Sequence, residues 1–172
     1  MKDVIYVDAN DNEIGSGSIK KAVAEGIIRR VSVAILINNK GEVLLQKRGD
    51  NVAFPNLWNE STSGHVDVGE TYEEAIIREM KEEMGVENVD IKRIDKIFDP
   101  GKGSKQYGIR RAFVAVFVGH YNGEVVPNPV EVSDYKWIQL EKLKKLTTEK
   151  PEDFTPGSLF VFETFFKATP SS

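Results

Sequence analysis

The stretch GHVDVGETYEEAIIREMKEEMGV, from Gly64 to Val86, constrains the fold of this chain more than any other. Thr71 and Glu74 form an S/T-x-x-E capping box, which predicts a helix starting at Tyr72. Gly85 can end it in a left-handed C′ conformation. On that helix Ile76, Met80 and Met84, with Ile77 beside them, make an apolar arc that needs a sheet to cover it. Glu79, Glu82 and Glu83 share the neighbouring face, because residues three and four apart are stacked. Ala75 lies on the carboxylate side, where a small residue lets another backbone approach. Glu79 and Glu83 are an i,i+4 like-charge pair costing roughly 0.2–0.5 kcal/mol, and Arg78 and Lys81 are expected to point elsewhere. A solvated acidic face is the simplest account of such a run. A hard divalent cation, Mg²⁺ or Mn²⁺, is the account that removes the repulsion, since such ions take carboxylate oxygens and keep waters that bridge to phosphates.

The sequence around the helix reads mostly as strands. Ile5–Asp8 and Glu13–Gly15 flank an Asn/Asp-rich turn and predict a hairpin, and Val31–Ile37 and Glu42–Lys47 flank Asn38–Gly41 in the same way. Asn51–Ser63 lacks a period and reads as a loop pinned by Phe54 and Trp58. Val89–Phe98 alternates apolar and charged residues, as a half-buried strand does. Asp99–Gly108 is a basic loop with three glycines. Arg110–Gly119 is the strongest strand and is expected to be central. Asn122-Gly123 signals a turn before a short strand at Val125-Val126. A strand at Val132–Ile138, a helix at Leu140–Leu146 and an aromatic helix at Ser158–Lys167, within 156–168, complete the chain. Strands mixed with helices in this order predict an α/β fold with a mixed sheet covered on both faces. With 172 residues and no repeat or linker, one domain over 1–172 is expected, residues 1–30 being an N-terminal hairpin and lead-in.

Composition narrows the partners. A net charge of −4 argues against bulk nucleic-acid binding. The absence of cysteine removes disulfides, thiolate metal sites and thiol nucleophiles. The N-terminus does not read as a signal peptide, and the longest apolar runs, Val33–Ile37 and Ala112–Val118, are too short to span a membrane. A cytoplasmic protein without membrane contact is expected. The tripeptide Arg48-Gly49-Asp50 reads as a turn after a strand. Oligomeric state, a homodimer included, is left open.

Gly64, Glu70, Arg78-Glu79, Met80, Glu82-Glu83, Gly85 and Val86, at these separations, resemble the complete signature of the Nudix hydrolases. The resemblance implies an α/β/α sandwich with the signature helix against a mixed sheet. It implies that Glu79, Glu82 and Glu83, with the Gly64 carbonyl, hold Mg²⁺ or Mn²⁺, and that Glu70 and Arg78 brace the loop, Arg78 orienting Glu79. The reaction implied is hydrolysis of a diphosphate bond in a nucleoside di- or triphosphate or another small diphosphate, with a glutamate as general base. Glu131 is a candidate extra catalytic carboxylate, with Asp134 behind it. Arg48, Lys102, Lys105, Arg110 and Arg111 are candidate phosphate clamps, and Asp99–Gly108 a candidate mobile lid. Tyr107 reads equally well as a stacking residue or a sheet residue.

Leu44–Arg48, Pro55–Trp58, Ser63–Val66, Asn128–Ile138 and Asp153–Phe160 also resemble the isopentenyl-diphosphate isomerase branch of the same fold. That branch employs a cysteine and a glutamate on either side of the allylic carbon, and largely histidines for its metal. Here the loop reads Glu60-Ser61-Thr62-Ser63, only His65 matches a ligand histidine, Thr155-Pro156 is followed by glycine rather than tryptophan, and the Arg-Glu…Glu-Glu core is intact. These differences lead to an expectation of hydrolysis rather than isomerisation. They also argue against a non-catalytic nucleotide-binding module, which needs no carboxylate triad. His65 is expected to hydrogen-bond rather than to ligate metal.

Overall fold

The computed structural model describes residues 2–169. Its strands join into one mixed sheet with helices on both faces, the α/β/α arrangement expected. The N-terminal hairpin, β1 (Val4–Val7) and β2 (Glu13–Gly17), pairs onto β3 (Ile28–Ile37) through β1. Its turn is pinned by Asp11, which accepts hydrogen bonds from Arg30, Lys96 and the Tyr72 hydroxyl at 2.7–2.9 Å. Between hairpin and β3 lies α1 (Ile19–Glu25), which the sequence reading missed; Ser18 caps it and Gly26 ends it at φ 69°.

Strand β8 (Ala112–His120) lies between β3, parallel, and β7 (Ile91–Asp99), antiparallel, so the strongest apolar run is indeed interior. Strand β4 (Glu42–Arg48) pairs with β9 (Val132–Gln139). The segment read as a loop instead contains β5 (Trp58–Asn59), paired to β4, and β6 (Thr62–His65), paired to β3. Buried polar residues hid both strands from a reading based on apolar period: Asn59, Glu60, Ser61 and Thr62 are all buried. The strand expected at Val125-Val126 is irregular chain, although Val126 N–H bonds the Met84 carbonyl.

Strands β3 and β4 meet only at Ile37 and Val43, then diverge. Ser61 wedges the fork, donating to the Leu44 carbonyl at 2.7 Å and accepting from Leu36 N–H at 2.8 Å. Helix α2 (Tyr72–Met84) covers one side of this opening, with its capping box formed and Gly85 at φ 63°. Ile76, Met80 and Met84 are buried under it, but Ile77 points to solvent, 53 % exposed. On the opposite face α3 (Leu140–Glu149) and α4 (Pro156–Ala168) bury Leu143, Val161, Phe162 and Phe165 against Val33, Ile35 and Leu45. No helix among the described residues is long and apolar enough to cross a membrane.

Candidate active site

The acidic side of the fork is built by α2 and β6. Gly64 packs so close to the Glu79 carboxyl that a Cβ there would collide with it, so only glycine lets this carboxylate approach the strand. Arg78 does not point away, as expected from the helical wheel. It donates to Glu79 at 2.6 Å, to both oxygens of Glu70 at 2.7 and 3.0 Å, and to the His65 carbonyl at 3.0 Å. It thereby ties loop and helix together and fixes Glu79. Glu83 is buried and its Oε2 accepts from Gln46 at 2.6 Å and the Thr62 hydroxyl at 2.9 Å. Burial, then the neighbouring Glu79 and Glu131, push its pKa up to about 8. Burial does the same to Glu79, with Glu82 and Glu131 adding and Arg78 opposing, to about 7. Glu131 is half-buried and accepts from the Asn128 side-chain amide at 3.1 Å.

Glu82 leans outward, its side chain 56 % exposed, and takes a long 3.3 Å contact from Arg78. The three-carboxylate set read from the sequence is thus not closed: among the described residues no three acidic or histidine side chains converge as metal ligands. Repulsion between carboxylates is relieved here by Arg78 and by protonation instead. The donors nevertheless suit a hard divalent ion, since Glu79 and Glu83 converge on a cradle that only Gly64 permits and carry raised pKa values that a cation would reverse. Glu79, Glu83 and the Gly64 carbonyl are the groups that could hold one.

The other side is basic. Thr62 and Gly64 face α2, so Ser63 and His65 face away from it. There His65 Nε2 meets Arg29 at 2.5 Å. Burial first, then Arg29, Arg110, Arg48 and Arg78, push the imidazole down to about 3. In this structure His65 is a hydrogen-bonding residue, its ring held by Arg29. Arg48 donates to the Ala53 carbonyl at 2.5 Å, and Arg110 stacks over Phe54, which contacts Tyr107 at 4.2 Å between centroids. Lys102 and Lys105 are exposed on the loop beyond. Arg111 leaves the clamp set, because its guanidinium donates to the Gly26 carbonyl and covers Phe98. Asp134 is exposed and accepts from its neighbour Tyr135 N–H, leaving Glu131 as the carboxylate facing the helix.

Sequence reasoning missed Arg29, Gln46, Glu60 and Thr62. A polar side chain inside an otherwise apolar strand run, as in LLQKR, was the available signal for Gln46. Glu60 is 4 % exposed, one of its oxygens has no hydrogen-bond partner, and burial raises its pKa, opposed by Ser63 and Arg48.

Residues 28–157 match the NUDIX domain model. The chain belongs to the Nudix family. Within it, the chain resembles isopentenyl-diphosphate Delta-isomerase 2 of Photorhabdus laumondii, 34 % identical over 88 % of this chain and 85 % of that one. The isopentenyl-diphosphate Delta-isomerase of Klebsiella pneumoniae strain 342 is 30 % identical over 89 % and 84 %. Among solved Nudix folds, DR0079 from Deinococcus radiodurans superposes with TM-score 0.78 at 24 % identity, covering 95 % of this chain and 99 % of that one. The NUDIX domain of Shewanella oneidensis NrtR, solved with ADP ribose, gives 0.64 at 18 % identity over 90 % and 94 %. Nudix proteins and these isomerases generally use divalent metals. The expectation of nucleotide diphosphate hydrolysis is corrected by these relatives, because curated isomerases match most of the chain at up to 34 % identity. Absence of a thiol does not by itself exclude isomerisation. It removes one acid–base group, whereas burial raises the pKa of Glu60 and pushes Glu79 and Glu83 up to about 7 and about 8.

Proposed function

We propose that this Nudix chain isomerises isopentenyl diphosphate, moving its terminal double bond inward. The observation carrying the reading is the similarity to curated isomerases across 88 % of the chain. The chemistry needs a proton delivered to the terminal methylene carbon, which leaves a tertiary cation, and a proton removed from the carbon on the diphosphate side. The diphosphate is unchanged and serves as a handle.

Arg48 and Arg110 bind that handle, with Lys102 and Lys105 on the loop above. Glu79, Glu83 and the Gly64 carbonyl, joined by Glu82, would hold Mg²⁺ or Mn²⁺, which would neutralise diphosphate charge. Two carboxyls remain for proton transfer. Glu60, whose pKa burial raises, is the donor, and its unpartnered oxygen supports that role. Glu131, half-buried and held by Asn128, is the acceptor.

The test is incubation with isopentenyl diphosphate and Mg²⁺ or Mn²⁺ in D₂O, followed by NMR. Dimethylallyl diphosphate carrying deuterium in a methyl group is expected. Folded, metal-supplied protein giving neither the isomer nor deuterium exchange would overturn the reading.

A further inference from the structure

We propose that Arg29 and His65, with Arg110 and Arg48 near enough to act on them, form an anion cradle that takes a phosphate or diphosphate group without help from metal, centred on the face of β6 opposite the carboxylates. Arg29 is 2 % exposed, and its Nε, like that of Arg110, is buried with no hydrogen-bond partner. Among the described residues neither has a carboxylate within ion-pair distance; Asp99 influences Arg29 only from further away. Buried guanidinium groups are ordinarily paired, because an uncompensated charge in the interior is strongly unfavourable.

Here the unpaired cations stand together instead. Burial, then Arg110, lowers the pKa of Arg29 to about 10, and burial, then Arg48, lowers that of Arg110. Even so, guanidinium stays charged at neutral pH and cannot relieve the clash by losing a proton. An anion with several oxygens relieves it, and the planar fork of guanidinium matches phosphate.

His65 completes the donor set. Arg29 can only donate, so the 2.5 Å contact makes His65 Nε2 the acceptor and puts the ring proton on Nδ1. Nδ1–H remains as a further, neutral donor. Strand alternation puts Arg29 with Val33 and Ile35 on the α4 face, and His65 on the same side of β6. Carboxylates and cradle therefore flank one strand, and a diphosphate at the fork can touch both. This deepens the proposed function by naming where the substrate's distal phosphate sits, and it rests on that reading only for the substrate's identity.

The experiment is calorimetric titration of inorganic pyrophosphate into protein stripped of metal by chelation and dialysis. Saturable one-to-one binding is expected, weakened at least about tenfold by Arg29→Met. Arg29→Met is also expected to raise the melting temperature of the anion-free protein, which shows that it folds; Arg110→Met provides a second variant. Isopentenyl diphosphate should displace the pyrophosphate. Absence of binding by folded wild type, or equal binding by both methionine variants, would overturn the cradle whether or not the protein is an isomerase. Simultaneous binding of both ligands would overturn its assignment to the substrate.

Discussion

Strand β6 lies between two clusters of like charge, buried or half-buried, that resolve their repulsion differently. On its α2 face, Glu79 and Glu83 hold protons near neutrality, their pKa values raised to about 7 and about 8 by burial, with the charge of Glu131 adding to both. Beside the other face Arg29 and Arg110 crowd each other, with Arg48 acting on Arg110, but guanidinium has no neutral form in reach. The acidic cluster can discharge itself and wait for a cation. The basic cluster stays charged, so its fold carries a standing demand for an anion. Metal binding should therefore depend on pH, while anion binding at the cradle should depend mainly on salt.

The largest expected effect breaks the acidic side alone. Glu83→Gln keeps the shape that Gln46 and Thr62 hold but removes a charged ligand. Isomerisation should fall by about two orders of magnitude or more, on the scale of metal-supplied stabilisation. Near wild-type rates at limiting Mg²⁺ would remove Glu83 from the metal set. The corresponding change on the basic side is Arg29→Met, expected to raise KM for the diphosphate about tenfold while lowering kcat less, since the cradle grips ground state and transition state alike. A loss confined to kcat would contradict that division.

Stability against pH distinguishes the clusters next. Between about pH 4.5 and 8 the folded state holds protons on Glu79 and Glu83 that the unfolded chain has released. The native state thus binds more protons, and unfolding free energy falls as pH rises through this window. For protein kept free of metal, the melting temperature should drop by roughly 5–10 °C from pH 5 to 8. Saturating Mg²⁺ should flatten the slope, because it favours the ionised carboxylates. A melting temperature that rises with pH in metal-free protein would show that the carboxyls are not strained as described.

The two faces were unequally legible in the sequence. The acidic one lies within a single capped helix, where spacing of three and four places Glu79, Glu82 and Glu83 together, so one-dimensional periodicity exposes it. Even so, the wheel could not show that Arg78 turns back onto Glu79 or that Glu82 leans out. The basic face is assembled from β3, β4, β6 and the chain entering β8. Arg29 and Arg110 are 81 positions apart in the numbering and become neighbours only through the parallel pairing of Arg29 with Ala112. Strands β5 and β6 were invisible for a related reason: Asn59 and Thr155, or Ser61 and Leu44, satisfy one another only once the fork exists.

The smallest expected effect lies above the cradle, on the basic loop. Lys102 and Lys105 are exposed there, whereas Tyr107 packs on Phe54 and Gly108 is tied back to Ser104 and beside Val23. The loop is therefore anchored at its C-terminal end and open at the lysines. Exposed charges are screened within about 8 Å at physiological salt. Replacing both lysines with alanine should raise KM only about two- to threefold at low salt, with the difference vanishing as salt increases. Tyr107→Ala, by contrast, should loosen the anchor and speed hydrogen exchange across residues 101–108 without changing the salt dependence. If the double-lysine variant instead matched Arg29→Met in KM at every salt concentration, the loop rather than the buried cradle would be the principal phosphate contact. The contrast between a screened surface and an unscreened interior would then fail at this site.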